Sequence, residues 1–262
     1  VAQAESATRL YKSGDAGRRW EVVGTPRNLT ALAVDFENPN VLYAAEQLQT
    51  YCATAQFLRS ADGGVTWSKF YSERQQYPPQ PIAQILINPN NPNEFYAVGL
   101  SGGSGRCSNY PVLWRGDRQG NWERMPSPFG DKFYLFPAGL AFDSTTNTLY
   151  TGTEVAYGYY SPREGLTMWA TTNASATTPS LITWTPVSRL DVSPWGWGET
   201  FRPLAIGGRS PTALYAYTNG WDGGLWKSTD KGKTWSLIRL PVPHIGPGTD
   251  AVNRWTSPVT GH

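Results

Sequence analysis

Five times along this 262-residue chain a short apolar strand runs into a turn of small residues and leaves it through a tryptophan. Three copies are nearly intact, at Leu10–Trp20, Phe57–Trp67 and Leu225–Trp235. They share Ser-x-Asp-x-Gly-x-x-Trp, carried by Ser13, Asp15, Gly17 and Trp20, by Ser60, Asp62, Gly64 and Trp67, and by Ser228, Asp230, Gly232 and Trp235. Two weaker copies end at Trp122 and Trp184. Successive tryptophans lie 47 to 62 residues apart, which is the span of one four-stranded blade. A repeat of that length constrains the fold more than any local pattern, because each unit must bury its faces against its neighbours.

The turn has a physical logic. The Asp carboxylate can accept hydrogen bonds from backbone N–H groups two or three residues on. The Gly two residues later supplies a positive φ. The Trp is expected to fold its apolar face back over its own hairpin, with burial worth about 1.5–3 kcal/mol. On this reading Asp15, Asp62 and Asp230 are structural. In the copy ending at Trp122 the Ser is missing and the turn is one residue shorter. In the copy ending at Trp184, Asn173 stands in place of Asp and an insertion delays the tryptophan.

The pattern resembles the Asp-box, or BNR, repeat of sialidases, sortilin-type receptors, xyloglucan-active glycosidases and photosystem assembly factors. An upstream hairpin recurs with it: Leu32–Asp35 to Leu42–Ala45, Ile85–Pro89 to Phe95–Val98, Leu140–Asp143 to Leu149–Gly152, and Leu204–Ile206 to Leu214–Tyr217. The resemblance implies an all-β chain, a β-propeller of four-stranded antiparallel blades with Asp-box turns. Complete blades are expected at roughly 31–70, 81–125, 137–187 and 202–240, with residues 8–23 supplying half of another. The count favours five blades, the alternative being a segment of a six- or seven-bladed propeller. Residues 1–7 read as a processed or linker N-terminus, 8–240 as the propeller, and the Pro-rich 241–262 as a closing segment or arm.

Composition narrows the function. The formal net charge of +2 leaves no broad basic footprint for nucleic acid, and two His argue against a histidine-built metal centre. No apolar run is long enough to span a membrane. Membrane anchoring would have to come through a partner or a preceding segment. No nucleophile motif, phosphate-cradling loop or zinc spacing occurs, so no cofactor or metal is expected. Cys52 and Cys107 each lie 15 residues before a repeat tryptophan, at matching places in adjacent blades. A disulfide between them would suit an oxidising compartment, the alternative being two unrelated buried thiols. This and the resemblance point to an extracytoplasmic location, whether secreted, periplasmic or at the cell surface.

With the Asp-box turns on one face, the loops opposite carry aromatic and charged side chains suited to contact. The candidate partner face comprises Tyr77, Tyr134, Tyr159, Arg163, Trp195, Trp197, Glu199, Arg202, Trp221 and Asp222. The function expected is a non-catalytic binding or assembly module for a protein or a glycan. The alternative is a glycoside hydrolase, which needs two carboxyl groups about 5–10 Å apart. Glu46, Glu73, Glu154, Glu164, Glu199 and Asp222 are available, but no spacing selects a pair. Phe201-Arg202-Pro203 only approaches the Arg-Ile-Pro motif of sialidases, which counts against that activity.

Overall fold

Alternation of apolar and polar residues, punctuated by Asn-Pro, Asp and Gly turns, produces strands throughout. The computed structural model describes residues 8–48, 54–70, 82–99, 112–130, 134–155, 166–190, 199–207, 212–219 and 223–238. Within these, 18 β-strands are joined by turns, and one 3-10 turn at Pro179–Leu181 is the only helical element. Two compact units divide the chain, Val1–Met125 and Pro126–His262.

The first unit opens with the hairpin β1 (Thr8–Lys12) and β2 (Glu21–Arg27). Two four-stranded antiparallel meanders follow. One is β3 (Leu29–Val34), β4 (Leu42–Leu48), β5 (Thr54–Ser60) and β6 (Ser68–Lys69). The other is β7 (Ile82–Ile87), β8 (Glu94–Gly99), β9 (Leu113–Asp117) and β10 (Trp122–Arg124). Between these sheets lies an aromatic core in which Tyr43 meets Phe95 at 4.6 Å and Phe57 stacks on Trp122 at 3.9 Å between ring centroids.

The second unit contains β11 (Leu135–Asp143), β12 (Thr148–Val155), β13 (Leu166–Thr171) and β14 (Thr185–Leu190). Its second meander is β15 (Thr200–Gly207), β16 (Ala213–Thr218), β17 (Gly224–Ser228) and β18 (Ser236–Ile238). Here the two meanders join, because β12 also pairs with β15 through Thr153 opposite Phe201 and Glu154 opposite Thr200. Gly152 permits that approach. A Cβ at Gly152 would overlap the Phe201 carbonyl, so any larger residue would hold the two backbones apart.

Each intact repeat closes β1–β2, β5–β6 or β17–β18 by the same hydrogen bonds. Ser60 Oγ donates to Asp62 Oδ1 at 2.7 Å and accepts from the Gly64 N–H at 2.8 Å. Asp62 in turn accepts from the Thr66 N–H at 2.9 Å and from its hydroxyl. The sets built on Ser13 with Asp15 and on Ser228 with Asp230 repeat this pattern within about 0.2 Å. Gly17, Gly64 and Gly232 all have positive φ, and so do Ala16, Gly63 and Lys231 just before them. The decayed copies keep the logic. Asp117 accepts from the Asn121 N–H at 3.0 Å, and Asn173 accepts from the Thr171 hydroxyl at 2.7 Å and, across the insertion, from the Thr183 N–H at 3.0 Å.

The tryptophans depart from the expected packing. Trp20 and Trp67 do donate to carbonyls of their own turns, those of Gly17 and Gly64. Trp122 and Trp235 instead reach the preceding blade of their own unit, and Trp184 reaches the segment ahead of its own blade. Trp122 stacks on Phe57, Trp184 Nε1 donates to the Pro126 carbonyl at 3.0 Å, and Trp235 Nε1 donates to Ser188 Oγ at 3.0 Å. At Trp122 and Trp235 the tryptophan therefore acts as a peg between blades. The first turn of three blades shows a second recurring device, in which Asp35, Asn88 and Asp143 accept through Oδ1 from the N–H two residues on.

Acid should attack these turns. Thr66, through its hydroxyl and its N–H, holds the Asp62 carboxyl down to about 2, from an ordinary 3.8. The Arg19 N–H lowers Asp15. Burial opposes ionisation of Asp143 and Asp230, but hydrogen bonds from Thr145, Thr146 and Thr234 outweigh it and lower both. A depressed folded pKa stabilises the fold above the unfolded value, and that contribution disappears as pH falls through the folded value. Thermal melts followed by circular dichroism should therefore be flat between about pH 5 and 7 and fall steadily from about pH 4 to 2. Gly152→Ala should lower stability by about 2–3 kcal/mol, seen as a drop in melting temperature of about 5–10 °C.

Candidate functional site

The turns just described gather at one end of the strands, so the opposite end is where loops of variable length begin. In the second unit that end is formed by the start of β11, the end of β12, the start of β15 and the end of β16. Tyr134 immediately precedes β11. It is half-buried and packs against the cluster containing Phe129, Leu135, Val155 and Phe201. Glu154 lies near the end of β12. Opposite it, Thr200 and Arg202 occupy alternate positions of β15 and so share its face.

On that face Arg202 Nη2 lies 3.4 Å from Glu154 Oε2. The Arg202 side chain is 35% exposed and that of Glu154 is 22% exposed. Arg202 Nε and Thr200 Oγ1 are buried without a hydrogen-bond partner in the chain, which marks this face as incompletely satisfied. The strand start is pinned from the neighbouring hairpin, where Asn219 Oδ1 accepts from the Thr200 N–H at 2.6 Å. Thr218 beside it accepts from Trp226 Nε1 at 2.9 Å.

Glu199 has a different setting. Its carbonyl accepts from the Val155 N–H at 2.9 Å, which places it opposite Val155 in the ladder. Alternation then puts its side chain on the Val155 and Phe201 face, away from Glu154. The residue is buried, with 5% of its surface exposed.

The corresponding end of the first unit carries a tighter ion pair. Arg27 donates to both oxygens of Glu46, each at 2.8 Å, and Gln56 Nε2 donates to Oε2 at 2.6 Å. Burial opposes ionisation of Glu46, but the hydrogen bonds from Arg27 and Gln56 and the charge of Arg27 hold its carboxyl below the ordinary value. At the turn end, Arg118 makes a second clamp, donating to Asp35 and Glu37 at 2.9 Å each and to the Pro92 carbonyl. Asn28 and Asn173, which each open an Asn-x-Ser/Thr triplet, are engaged, Asn28 Nδ2 with the Gln47 carbonyl and Asn173 Nδ2 with that of Leu181.

Of the residues expected on the partner face, the structure brings Tyr134, Glu199 and Arg202 to one end of the second unit. Tyr77, Tyr159, Arg163, Trp195, Trp197, Trp221 and Asp222 lie outside the described residues, as do Cys52 and Cys107. Thr200 and Asn219 were not singled out in the sequence. Only the Asn-Gly pair at 219–220 signals a turn there, and nothing local signals its bond to β15. Among the described residues no group of His, Cys, Asp and Glu could hold a metal ion, and no helix is long and apolar enough to cross a membrane.

No family model matches the sequence, and no curated protein matches it. Solved structures do resemble it in fold. A GH74 xyloglucanase from Xanthomonas campestris is similar with a TM-score of 0.57 and 19% identity over 91% of this chain. A GH93 α-L-arabinofuranosidase of Fusarium graminearum gives 0.53 and 13% over 90%. A Penicillium chrysogenum α-L-arabinanase gives 0.52 and 14% over 89%. This chain spans 35% of the xyloglucanase and 73% of each of the other two. The likeness identifies the fold as that of a β-propeller.

The two ion pairs should differ in strength. Double-mutant cycles read by urea denaturation should give a coupling of about 1–2 kcal/mol for Arg27 with Glu46, which is bidentate and half-buried. Arg202 with Glu154, longer and more exposed, should couple by less than about 0.5 kcal/mol, leaving Arg202 available for other contacts.

Proposed function

We propose that this chain is a non-catalytic binding or assembly module of the Asp-box propeller lineage, working outside the cytoplasm. Its contact surface is the loop end of the blades, where Arg202, Glu154 and the neighbouring loops meet a protein or glycan partner. The observation that carries this reading is the commitment of the carboxylates among the described residues. Glu46 is held by Arg27 and Gln56, and Asp35 by Arg118. Glu154 and Glu199 stand on opposite faces of their strands, although a hydrolase needs two carboxyl groups converging on one bond. Arg202, by contrast, offers a cation with one unused buried nitrogen, its Nη2 lying 3.4 Å from Glu154. The aromatic loop residues Tyr77, Tyr134, Tyr159, Trp195, Trp197 and Trp221 would supply contact area around it, with Arg163, Glu199 and Asp222 as polar partners. A Cys52–Cys107 disulfide, tying two loops together, belongs to the same reading.

A glycoside hydrolase is the second reading. Its support is that the fold neighbours include a xyloglucanase, an α-L-arabinofuranosidase and an α-L-arabinanase. The two readings separate in one experiment. The wild-type protein should release no reducing sugar from xyloglucan or arabinan. If the ligand is a glycan, the protein should be retarded in affinity gels containing it, and Trp195→Ala with Trp197→Ala should weaken that retardation about tenfold or more. Measurable hydrolysis that is abolished by Glu154→Gln would replace the module reading with the enzyme.

A further inference from the structure

A blade followed by another has its onward face covered. In β3–β6 that face carries Tyr43, Ala45 and Phe57, since Ala45 pairs with Phe57 and Tyr43 with Arg59. The blade after it supplies the cover, Trp122 stacking on Phe57 and Phe95 meeting Tyr43. In β11–β14 the matching places belong to Tyr150 and Met168. Phe57 and Met168 each stand three residues before the hydroxyl residue of their turn, Ser60 or Thr171. Ser188 pairs with Met168 and accepts from Trp235 of the blade after. All five side chains are buried, Phe57 with 1% and Met168 with 0% of its surface exposed.

The last described blade, β15–β18, repeats these positions. Leu225 stands three residues before Ser228, Tyr217 pairs with Leu225, and Tyr215 pairs with Lys227. Ile238 of β18 pairs with Leu225 from the other side. The opposite face carries Ala216 and Trp226, both buried in the core of the unit. On the onward face Tyr217 is 43% exposed, and Tyr215, Leu225 and Ile238 are half-buried. Positions that the repeat buries in the two earlier blades stand here partly in solvent.

The chain carries a cover for this face at the right distance. From the outermost strand of one blade to the first strand of the next it uses 12, 10 and 9 residues, at 70–81, 125–134 and 191–199. Twelve residues, 239–250, separate Ile238 from the stretch Ala251-Val252-Asn253-Arg254-Trp255. Pro241, Pro243, Gly246, Pro247 and Gly248 all fall in that connection, where no ladder bond is needed, and 249–257 is free of both residue types. Twelve residues reach up to about 40 Å, and crossing the blade from β18 back to β15 takes about 15 Å.

We propose that residues 251–255 form a further strand laid over the onward face of β15–β18, with Trp255 packed against Tyr217 and Leu225. On so short a tether the segment meets this face at an effective concentration on the order of millimolar, above that of a second copy in solution. The segment 241–262 is then part of the blade stack rather than a free arm, and the face is closed to partner proteins. The proposal does not depend on the function assigned to the loop end.

Hydroxyl-radical footprinting of the full chain, read by mass spectrometry, tests it. In the native protein Trp255 and Tyr217 should each oxidise at least about fivefold more slowly than in urea, and tenfold dilution should change neither rate. Tyr217→Asn should return Trp255 to its unfolded rate, and Trp255→Asp should speed oxidation of Tyr217 at least about threefold. Oxidation of wild-type Trp255 or Tyr217 at its unfolded rate would overturn the proposal. So would a variant that is folded by circular dichroism yet leaves the other residue's rate unchanged. Protection that fades on dilution would give the face to a second copy instead. If neither variant folds, the two wild-type rates and their response to dilution still decide.

Discussion

A serine hydroxyl that donates to an aspartate while accepting from a glycine N–H closes the outer hairpin of each intact repeat. The aspartate then takes the N–H four residues on, so two side chains satisfy backbone donors that no strand could reach. The geometry is exact enough to recur from Ser13 to Ser228. It delivers the tryptophan at the end of the turn to a defined place. At Trp235 that place is the preceding blade, and Trp122 of a decayed copy also stacks on its preceding blade, so the turn becomes a connection between successive sheets within a unit.

Much of this was legible in the residues. Strands fall where apolar alternation puts them, and the four complete blades match the meanders β3–β6, β7–β10, β11–β14 and β15–β18. The decayed copies were legible as decay but not as function retained. Nothing near Asn173 announces that Thr183, ten positions away, completes the same bond that Thr66 makes with Asp62. The direction of the tryptophans was also hidden. A ring beside its own hairpin and a ring against the next sheet have the same local sequence, and only the neighbouring blade decides between them. Asp35, Asn88 and Asp143 look like ordinary turn residues, yet they form a second repeat of side-chain bonds at the first turn of three blades.

At the loop end the limits of sequence reading are sharper. Glu154 and Glu199 belong to one roster of available carboxylates until the register between β12 and β15 is known. Pairing of Glu154 with Thr200 then sends the two side chains to opposite faces. Arg202 stood out in the sequence because it precedes a proline, a resemblance that says nothing about its actual neighbour. Its place beside Glu154 comes from the close approach of β15 to β12 that Gly152 allows.

The sequence by itself determined the class of fold, the strand order within each blade and the identity of the turns, because all three rest on contacts between residues close along the chain. Tertiary structure alone decided which blade each tryptophan joins, which carboxylates are tied to arginines and which apolar residues stay uncovered. Those outcomes depend on register and on the packing of one sheet over another. Leu32 and Leu42 are the same residue type on one face of neighbouring strands, and one is exposed while the other is buried.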